Sequence, residues 1–264
     1  MARARVREAM SYLQRKAFYD GLLTIYGRKP VMEALRMPSV EPYRLHLAKT
    51  NRPGEIVRDI TRLAENRGVE IQHHSREALS RISRNRKQDQ GVALDINCAQ
   101  YRHYQDYLQQ APGKFQIIAL DGVTNPQNLG MTIRSVCASP IQGLLLPEKG
   151  CAPLSPLVIK ASAGTLFQCS ILRCQFLDDA LAEFAVNGAD ICILDARDGL
   201  PLSQFEASER TVYVLGGETL GVSEAVRKRA SHYLNIPMQA GVDSLNVAVT
   251  AGLLAFRDVI ARAD

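Results

Sequence analysis

Residues 115–146 read Phe-Gln-Ile-Ile-Ala-Leu-Asp-Gly-Val-Thr-Asn-Pro-Gln-Asn-Leu-Gly-Met-Thr-Ile-Arg-Ser-Val-Cys-Ala-Ser-Pro-Ile-Gln-Gly-Leu-Leu-Leu. Phe115–Leu120 is a short apolar run, the pattern of a strand buried on both faces. The turn residues that follow, Asp121 to Gln127, form a loop, and Leu129–Ala138 reads as a helix. Gly143–Leu146 is a second buried strand. Strand, helix and strand in so few residues make a βαβ unit, whose strands run parallel because the helix carries the chain back to the starting edge.

The alternation continues to the end of the chain. Helices are expected over Pro156–Ala163, Asp178–Asn187, Ser223–Ala230 and Ser244–Ala263. Strands are expected over Phe167–Arg173, Ile191–Leu194, Val212–Leu215 and Tyr233–Ile236. Strands separated by helical segments imply an α/β fold with a parallel sheet covered on both faces. Ligands bind such sheets at the carboxyl ends of the strands, which directs attention to the loops after Leu120, Leu215 and Ile236.

Towards the N-terminus the pattern changes. Residues 21–97 read as a smaller α/β unit, with strands at Leu22–Tyr26, Arg44–Ala48, Val69–Gln72 and Gly91–Ile96 and helices at Lys29–Arg36 and Gly54–Asn66. Pro30 suits a first helical turn, where its missing N–H costs nothing. Residues 98–113 are rich in Tyr, Gln and His and end in Ala-Pro-Gly, the composition of a linker, so residues 114–264 form the second domain. Met1–Asp20 is an Arg-rich extension without the apolar stretch of a secretory signal; an arm that grips a polyanion, a disordered tail and a mitochondrial-type presequence stay open.

The 264 residues are 46% apolar and 22% charged, which excludes a wholly disordered chain. No apolar run approaches the roughly 18 residues of a membrane span. The six cysteines include no Cys-x-x-Cys pair and sit mostly in apolar segments, so they read as reduced core residues of a cytoplasmic protein. Charge is uneven. Residues 1–113 hold 20 Lys and Arg against 12 Asp and Glu, a net of +8, whereas residues 114–264 hold 12 against 15, a net of −3. A basic half joined to a mildly acidic half suggests a module that grips a polyanion attached to one that does chemistry. The densest basic cluster is Arg76–Lys87, where Arg76, Arg81, Arg84, Arg86 and Lys87 face only Glu77.

Each of the three loops has a plain reading. Asn128 is a helix N-cap and Arg134 a solvated helix residue; Leu215–Gly221 is a glycine-rich strand-to-helix turn; Ile236–Asn246 is a polar loop ending in a Ser cap. The glycines match neither a Walker A loop nor the dinucleotide fingerprint. A hydrolase built on Ser244 lacks a histidine in these loops and a G-x-S-x-G elbow, and His73-His74 lacks a ligand-spaced partner for zinc, so the pair reads as surface residues.

Together, in order and spacing, the loops resemble the motifs of the SpoU (TrmH-like) family of RNA ribose 2′-O-methyltransferases. The first motif is similar to Asn128-Leu-Gly130 with Arg134, the second to Leu215-Gly-Gly-Glu218 with Gly221, and the third to Ile236-Pro-Met238 with Ser244-Leu-Asn246. The N-terminal half resembles the family's ribosomal-protein-like substrate-binding domain, opening at Ile25-Tyr-Gly27 and closing at Asp89-Gln-Gly91, and the overall pattern is closest to the subgroup that modifies guanosine in rRNA. Two positions depart from it: Gly217 stands where relatives often carry Asn, Ser or Ala, and Asp89 where that subgroup often has His.

The resemblance implies a C-terminal domain tied in a trefoil knot, a homodimer, and transfer of a methyl group from S-adenosylmethionine to a ribose 2′-hydroxyl, without a metal. Arg134, Asn128, Glu218, Ser244 and Asn246 would carry the chemistry, with Arg134 stabilising the developing alkoxide. Leu215, Gly216, Gly221, Ile236, Met238 and Leu245 would hold the cofactor. Arg28, Arg81, Arg84, Arg86 and Lys87 would contact RNA, rRNA ahead of tRNA. A non-catalytic RNA-binding assembly factor is the reading from another class.

Overall fold

The computed structural model describes residues 22–38, 40–51, 54–98, 100–195 and 199–261. The extension at residues 1–20 lies outside them. The chain divides into two compact units, residues 1–101 and 102–264.

The first unit is a four-stranded sheet in the order β1 (Leu22–Tyr26), β4 (Val92–Asn97), β2 (Glu41–Ala48), β3 (Glu70–His74). β4 runs antiparallel to both neighbours, and β2 and β3 are parallel. Alternation assigns the faces. Ile25, Leu94 and Leu45 stand in register on one side, under α1 (Arg28–Arg36) and α2 (Glu55–Asn66). Tyr26, Ala93 and Ala48 stand on the other, where α3 (Arg76–Ser83) covers them with Leu79 and Ile82. Beyond the reach of α3 that same face turns polar. There Thr24 Oγ1 donates to Asp95 Oδ1 at 2.6 Å, Asp95 Oδ2 lies 2.9 Å from His46 Nε2, and His46 Nδ1 lies 2.9 Å from His74 Nε2. His74, read from sequence as a surface residue, is the half-buried end of this chain, because β2–β3 register sets it diagonally across from His46.

The second unit is an eight-stranded sheet. Its strands are β5 (Tyr101–His103), β6 (Phe115–Asp121), β7 (Gly143–Pro147), β8 (Ile171–Cys174), β9 (Asp190–Leu194), β10 (Leu200–Pro201), β11 (Arg210–Gly216) and β12 (His232–Asn235). The order is β10-β12-β9-β11-β6-β7-β8-β5, and from β10 to β8 every pair is parallel. From β6 the chain winds outward through β7 and β8, then crosses to β9 on the far side of β11. The strand order therefore switches beside β6 and β11, the place where open α/β sheets bind ligands.

One face of this sheet packs Ile117, Ala119, Ile191, Val212 and Val214 against α4 (Tyr104–Gln109), α7 (Leu177–Val186) and α8 (Glu224–Arg227). The opposite face, with Ile118, Leu120 and Tyr213, lies on the side of α5 (Pro126–Cys137), α6 (Pro156–Ala161) and α9 (Val247–Ala261). Residues 104–109, inside the stretch read as linker, are helical because Tyr104 and Tyr107 are buried against Phe115 and Phe184. Their hydroxyls gave that stretch its polar composition, and their rings make it core. The strand expected at Phe167–Arg173 begins only at Ile171, after a short 3₁₀ turn at Thr165–Phe167.

Candidate functional site

α5 begins at Pro126, not at Leu129, and its N-cap is Asn125, whose Oδ1 accepts from Gln127 N at 2.8 Å. Asn followed by Pro is the stronger cap signal, since Pro fits the first helical position. Asn128 is thereby released from capping and is buried. Its Nδ2 donates to Glu218 Oε1, and its Oδ1 accepts from Asn246 Nδ2 at 3.1 Å. Asn246 Nδ2 also reaches Glu218 Oε1, at 3.0 Å, while Asn246 Oδ1 accepts from Ala248 N at 2.9 Å at the start of α9. Three residues, one in the first turn of α5, one in the loop after β11 and one just before α9, thus close one hydrogen-bonded cluster around a single carboxylate oxygen.

Beside the cluster lies a cavity of about 900 Å³ at the carboxyl ends of β9, β11 and β12. Leu215, Gly216, Gly221, Ile236, Met238, Ser244 and Leu245 all line it, as does Glu218. Its volume is at the upper end for small-molecule sites. Sequence reasoning missed three charged wall residues, Asp195, Arg227 and Asp243; Asp195 Oδ2 and Arg227 Nη2 are 2.6 Å apart. The ion pair holds the Arg227 guanidinium above its usual range, chiefly through the hydrogen bond to Asp195. Asp195 follows the last residue of β9, so the strand-end rule that flagged the other loops applies to this one too.

Gly217 is sterically required. A Cβ built there would lie 2.2 Å from the Gly122 carbonyl oxygen, so a side chain would push apart the loops after β6 and β11.

Arg134 is not part of the cluster. It lies six residues beyond Asn128 on α5, about 9 Å along the axis and on another face, exposed, with no ion pair among the described residues. Met131 on α5 and Val249, Leu253 and Ile260 on α9 are exposed apolar residues of the same helix pair.

In the first unit, Arg81, Arg84, Arg86 and Lys87 are exposed. Arg76 is not available to a ligand in the same way. Its Nη1 lies 2.8 Å from Oδ1 of the fully buried Asp89, and its Nη2 donates to Arg86 O at 3.2 Å. Asp89 also accepts from Ser83 Oγ at 3.0 Å and Gly91 N at 2.9 Å, and so shapes the loop that displays the other basic residues. Arg28 Nε donates to Gln90 O at 3.3 Å beside that loop.

Burial raises the thiols of Cys98, Cys137 and Cys151 and pushes Cys174 and Cys192 up to about 12, so these five offer no ready nucleophile. Among the described residues no group of three His, Cys, Asp or Glu could hold a metal, and no helix is long and apolar enough to cross a membrane.

Residues 115–256 match the model of the SpoU rRNA Methylase family, and residues 24–102 match that of the RNA 2′-O ribose methyltransferase substrate-binding domain. An uncharacterized tRNA/rRNA methyltransferase of Mycolicibacterium smegmatis is 32% identical over 256 residues, covering 96% of this chain and 80% of that protein. Another, from Mycobacterium tuberculosis, is 32% identical over 237 residues, covering 89% and 73%. Two solved structures share the fold. The AdoMet-bound rRNA methyltransferase from Sinorhizobium meliloti has a TM-score of 0.63 at 21% identity, covering 96% of this chain and 91% of that one. The SpoU methyltransferase AviRb from Streptomyces viridochromogenes, in complex with AdoMet, has a TM-score of 0.63 at 21% identity, covering 97% and 95%.

Proposed function

The chain belongs to the SpoU rRNA methylase family of RNA methyltransferases, and from that premise we propose that it methylates a ribose 2′-hydroxyl of RNA with S-adenosylmethionine as donor. The observation that carries this reading is the Asn128–Glu218–Asn246 cluster beside the cavity at the strand ends, with Glu218 on the cavity wall.

The residues of that wall fit the donor. Leu194, Leu215, Ile236 and Leu245 supply apolar area for a nucleobase. Asp195, Glu218 and Asp243 against the single guanidinium of Arg227 give an acidic surround suited to a cation. When bound, the donor supplies an electrophilic methyl on a positively charged sulfur. A sugar hydroxyl is a poor nucleophile at neutral pH, so the protein must orient it and favour loss of its proton. Asn128, Glu218, Ser244 and Asn246 orient the ribose. Arg134 holds the adjacent phosphate and stabilises the developing alkoxide, while water takes the proton. A guanidinium is too basic to serve as the general base itself.

Further parts of the reading extend from this one. The substrate is a guanosine of large-subunit rRNA, held through Arg28, Arg81, Arg84, Arg86 and Lys87, and the net charge of +8 on residues 1–113 favours such a polyanion. The enzyme acts in the cytoplasm as a homodimer, with the exposed apolar residues of α5 and α9 in the contact and Arg134 among them. The C-terminal domain is knotted, in keeping with α9 packing back on α5 although β12, which precedes it, lies on the other side of β9 and β11.

The experiment is methyl transfer from labelled S-adenosylmethionine to protein-free rRNA and, separately, to bulk tRNA, with Arg134→Ala and Arg134→Lys beside the wild type. Label recovered from rRNA as a 2′-O-methyl nucleoside and lost in Arg134→Ala is the expected result. Label only in tRNA would replace the substrate. Full activity in Arg134→Lys, which keeps the charge but lacks the bidentate fork, would overturn the role given to the guanidinium.

A further inference from the structure

The segment 216–223, whose residues 216–222 form one wall of the cavity, has little regular structure of its own. Inside it, Gly221 N donates to Gly217 O at 2.9 Å, and the segment then enters α8, a helix of four residues. Its shape is therefore set from outside. At its near end Gly217 rests on the backbone of Gly122. At its middle Glu218 is held by the two asparagine amides. At its far end Val222 O accepts from Arg227 Nε at 3.1 Å, and Ser223 N donates to Asp121 Oδ2 at 2.7 Å.

That last bond differs from the others in where it comes from. Asp121 is the final residue of β6, in register with Gly216 at the end of β11, so it belongs to the carboxyl end of a central strand rather than to a loop. Its own backbone is fixed, with Leu120 and Val123 buried on either side and Ala152 N donating to Val123 O at 2.9 Å. Ser223, in the N-cap position of α8, makes no capping bond with its own hydroxyl. The backbone N–H of Ser223 itself donates to the carboxylate of a residue 102 positions away. Asp121 does not line the cavity.

We propose that Asp121 is a positioning residue for the donor-binding wall. Its carboxylate pins Ser223 to the end of β6 and so fixes the separation of the Gly216–Gly221 segment from the Ile236–Leu245 segment across the cavity. The inference rests on the reading that this cavity takes S-adenosylmethionine. A fixed wall lowers the ordering cost of binding, so losing the pin weakens donor affinity and leaves the transfer step itself nearly intact.

The test is the Kd of S-adenosylmethionine by titration calorimetry, together with KM and kcat for methyl transfer, in Asp121→Ala and Asp121→Asn. Asp121→Ala is expected to raise donor Kd and KM about tenfold, equal to ~1.4 kcal/mol, with kcat changed by about twofold or less. Asp121→Asn, whose Oδ1 can accept the same N–H, is expected to stay within about threefold of the wild type. A donor Kd unchanged in Asp121→Ala, or a loss confined to kcat, would overturn the proposal. Should Asp121→Ala fail to fold, the double variant Asp121→Ala with Ser223→Pro leaves no donor unpaired, and φ of −65° at Ser223 suits proline. It is expected to fold and still show the raised Kd; a wild-type Kd there would also overturn the proposal. A wild-type protein that binds no S-adenosylmethionine would overturn the reading of the cavity itself, and the proposal with it.

Discussion

Glu218 Oε1 accepts from two amide groups that reach it from sites 90 and 28 residues away in the chain. A hydrogen bond to a charged acceptor contributes about 1.5–3 kcal/mol, against roughly 0.5–1.5 for a neutral pair. Glu218→Gln keeps the shape and removes the charge, so it weakens both bonds at once. A fall of about tenfold to a hundredfold in single-turnover methyl transfer is expected. Asn128→Asp is expected to be worse at neutral pH, because it sets a second carboxylate against Glu218. Its deficit should shrink as the pH is lowered and the pair shares a proton. A pH-independent deficit would refute the pairing. These residues were legible in the sequence as a set, through the order and spacing of three loops. What each one does was not. Asn128 has the residue type of a cap and sits near a helix start, but the cap is Asn125, and only the fold shows that the Asn128 amide serves Glu218.

At the scale of elements, the strands with continuous apolar runs could be read to within a residue or two, because burial on both faces leaves no polar positions to blur the pattern. Elements missed include α4, whose apolar content is carried by amphipathic rings, β5 and β10, which are two or three residues long, and α3, whose apolar Ala78, Leu79 and Ile82 lie inside the basic cluster. The loop between α3 and β4 shows a different limit. Its basic residues were evident, but the acid that organises them is one residue, Asp89, buried among Arg76, Ser83 and Gly91 N. Gly91 has φ of +76°, and a Cβ there would lie 2.1 Å from Asn51 Oδ1, so the loop has one admissible path. Asp89→Ala is expected to lower the stability of the first unit by about 1–3 kcal/mol, the cost of orphaning buried partners. It should also weaken RNA binding at fixed salt, although it removes a negative charge. By contrast, replacing Arg84, Arg86 and Lys87 together with Gln should leave stability unchanged and flatten the log–log salt dependence of RNA affinity by about 2 to 3. Equal salt slopes in the triple variant and the wild type would remove this loop from the RNA interface.

At the scale of the whole molecule, the two units differ in how they respond to acid. The first contains the chain Thr24–Asp95–His46–His74. With Asp95 accepting from His46 Nε2, His46 Nδ1 is left to accept from His74 Nε2. Burial, then the neighbouring His46 and His73, hold the His74 imidazole below its usual 6.5, against the opposing pull of Asp95. The unfolded chain thus takes up this proton at higher pH than the folded one. The stability contributed here is complete above about 6.5 and is lost as the pH falls below it towards the folded value, the reverse of what a salt-bridged histidine would give. The core of the second unit, built on Phe115, Phe184 and the parallel strands, contains no buried histidine among the described residues. Thermal unfolding followed between pH 7.5 and 5 is therefore expected to separate into two transitions, the first unit's midpoint moving down as the pH drops. His74→Asn should remove most of that movement. Phe184→Ala should lower the other transition instead, by about 3–5 kcal/mol of stability at every pH. A single transition that shifts equally in the wild type and in His74→Asn would show that acid acts elsewhere and that the histidine chain is an inert part of the first sheet.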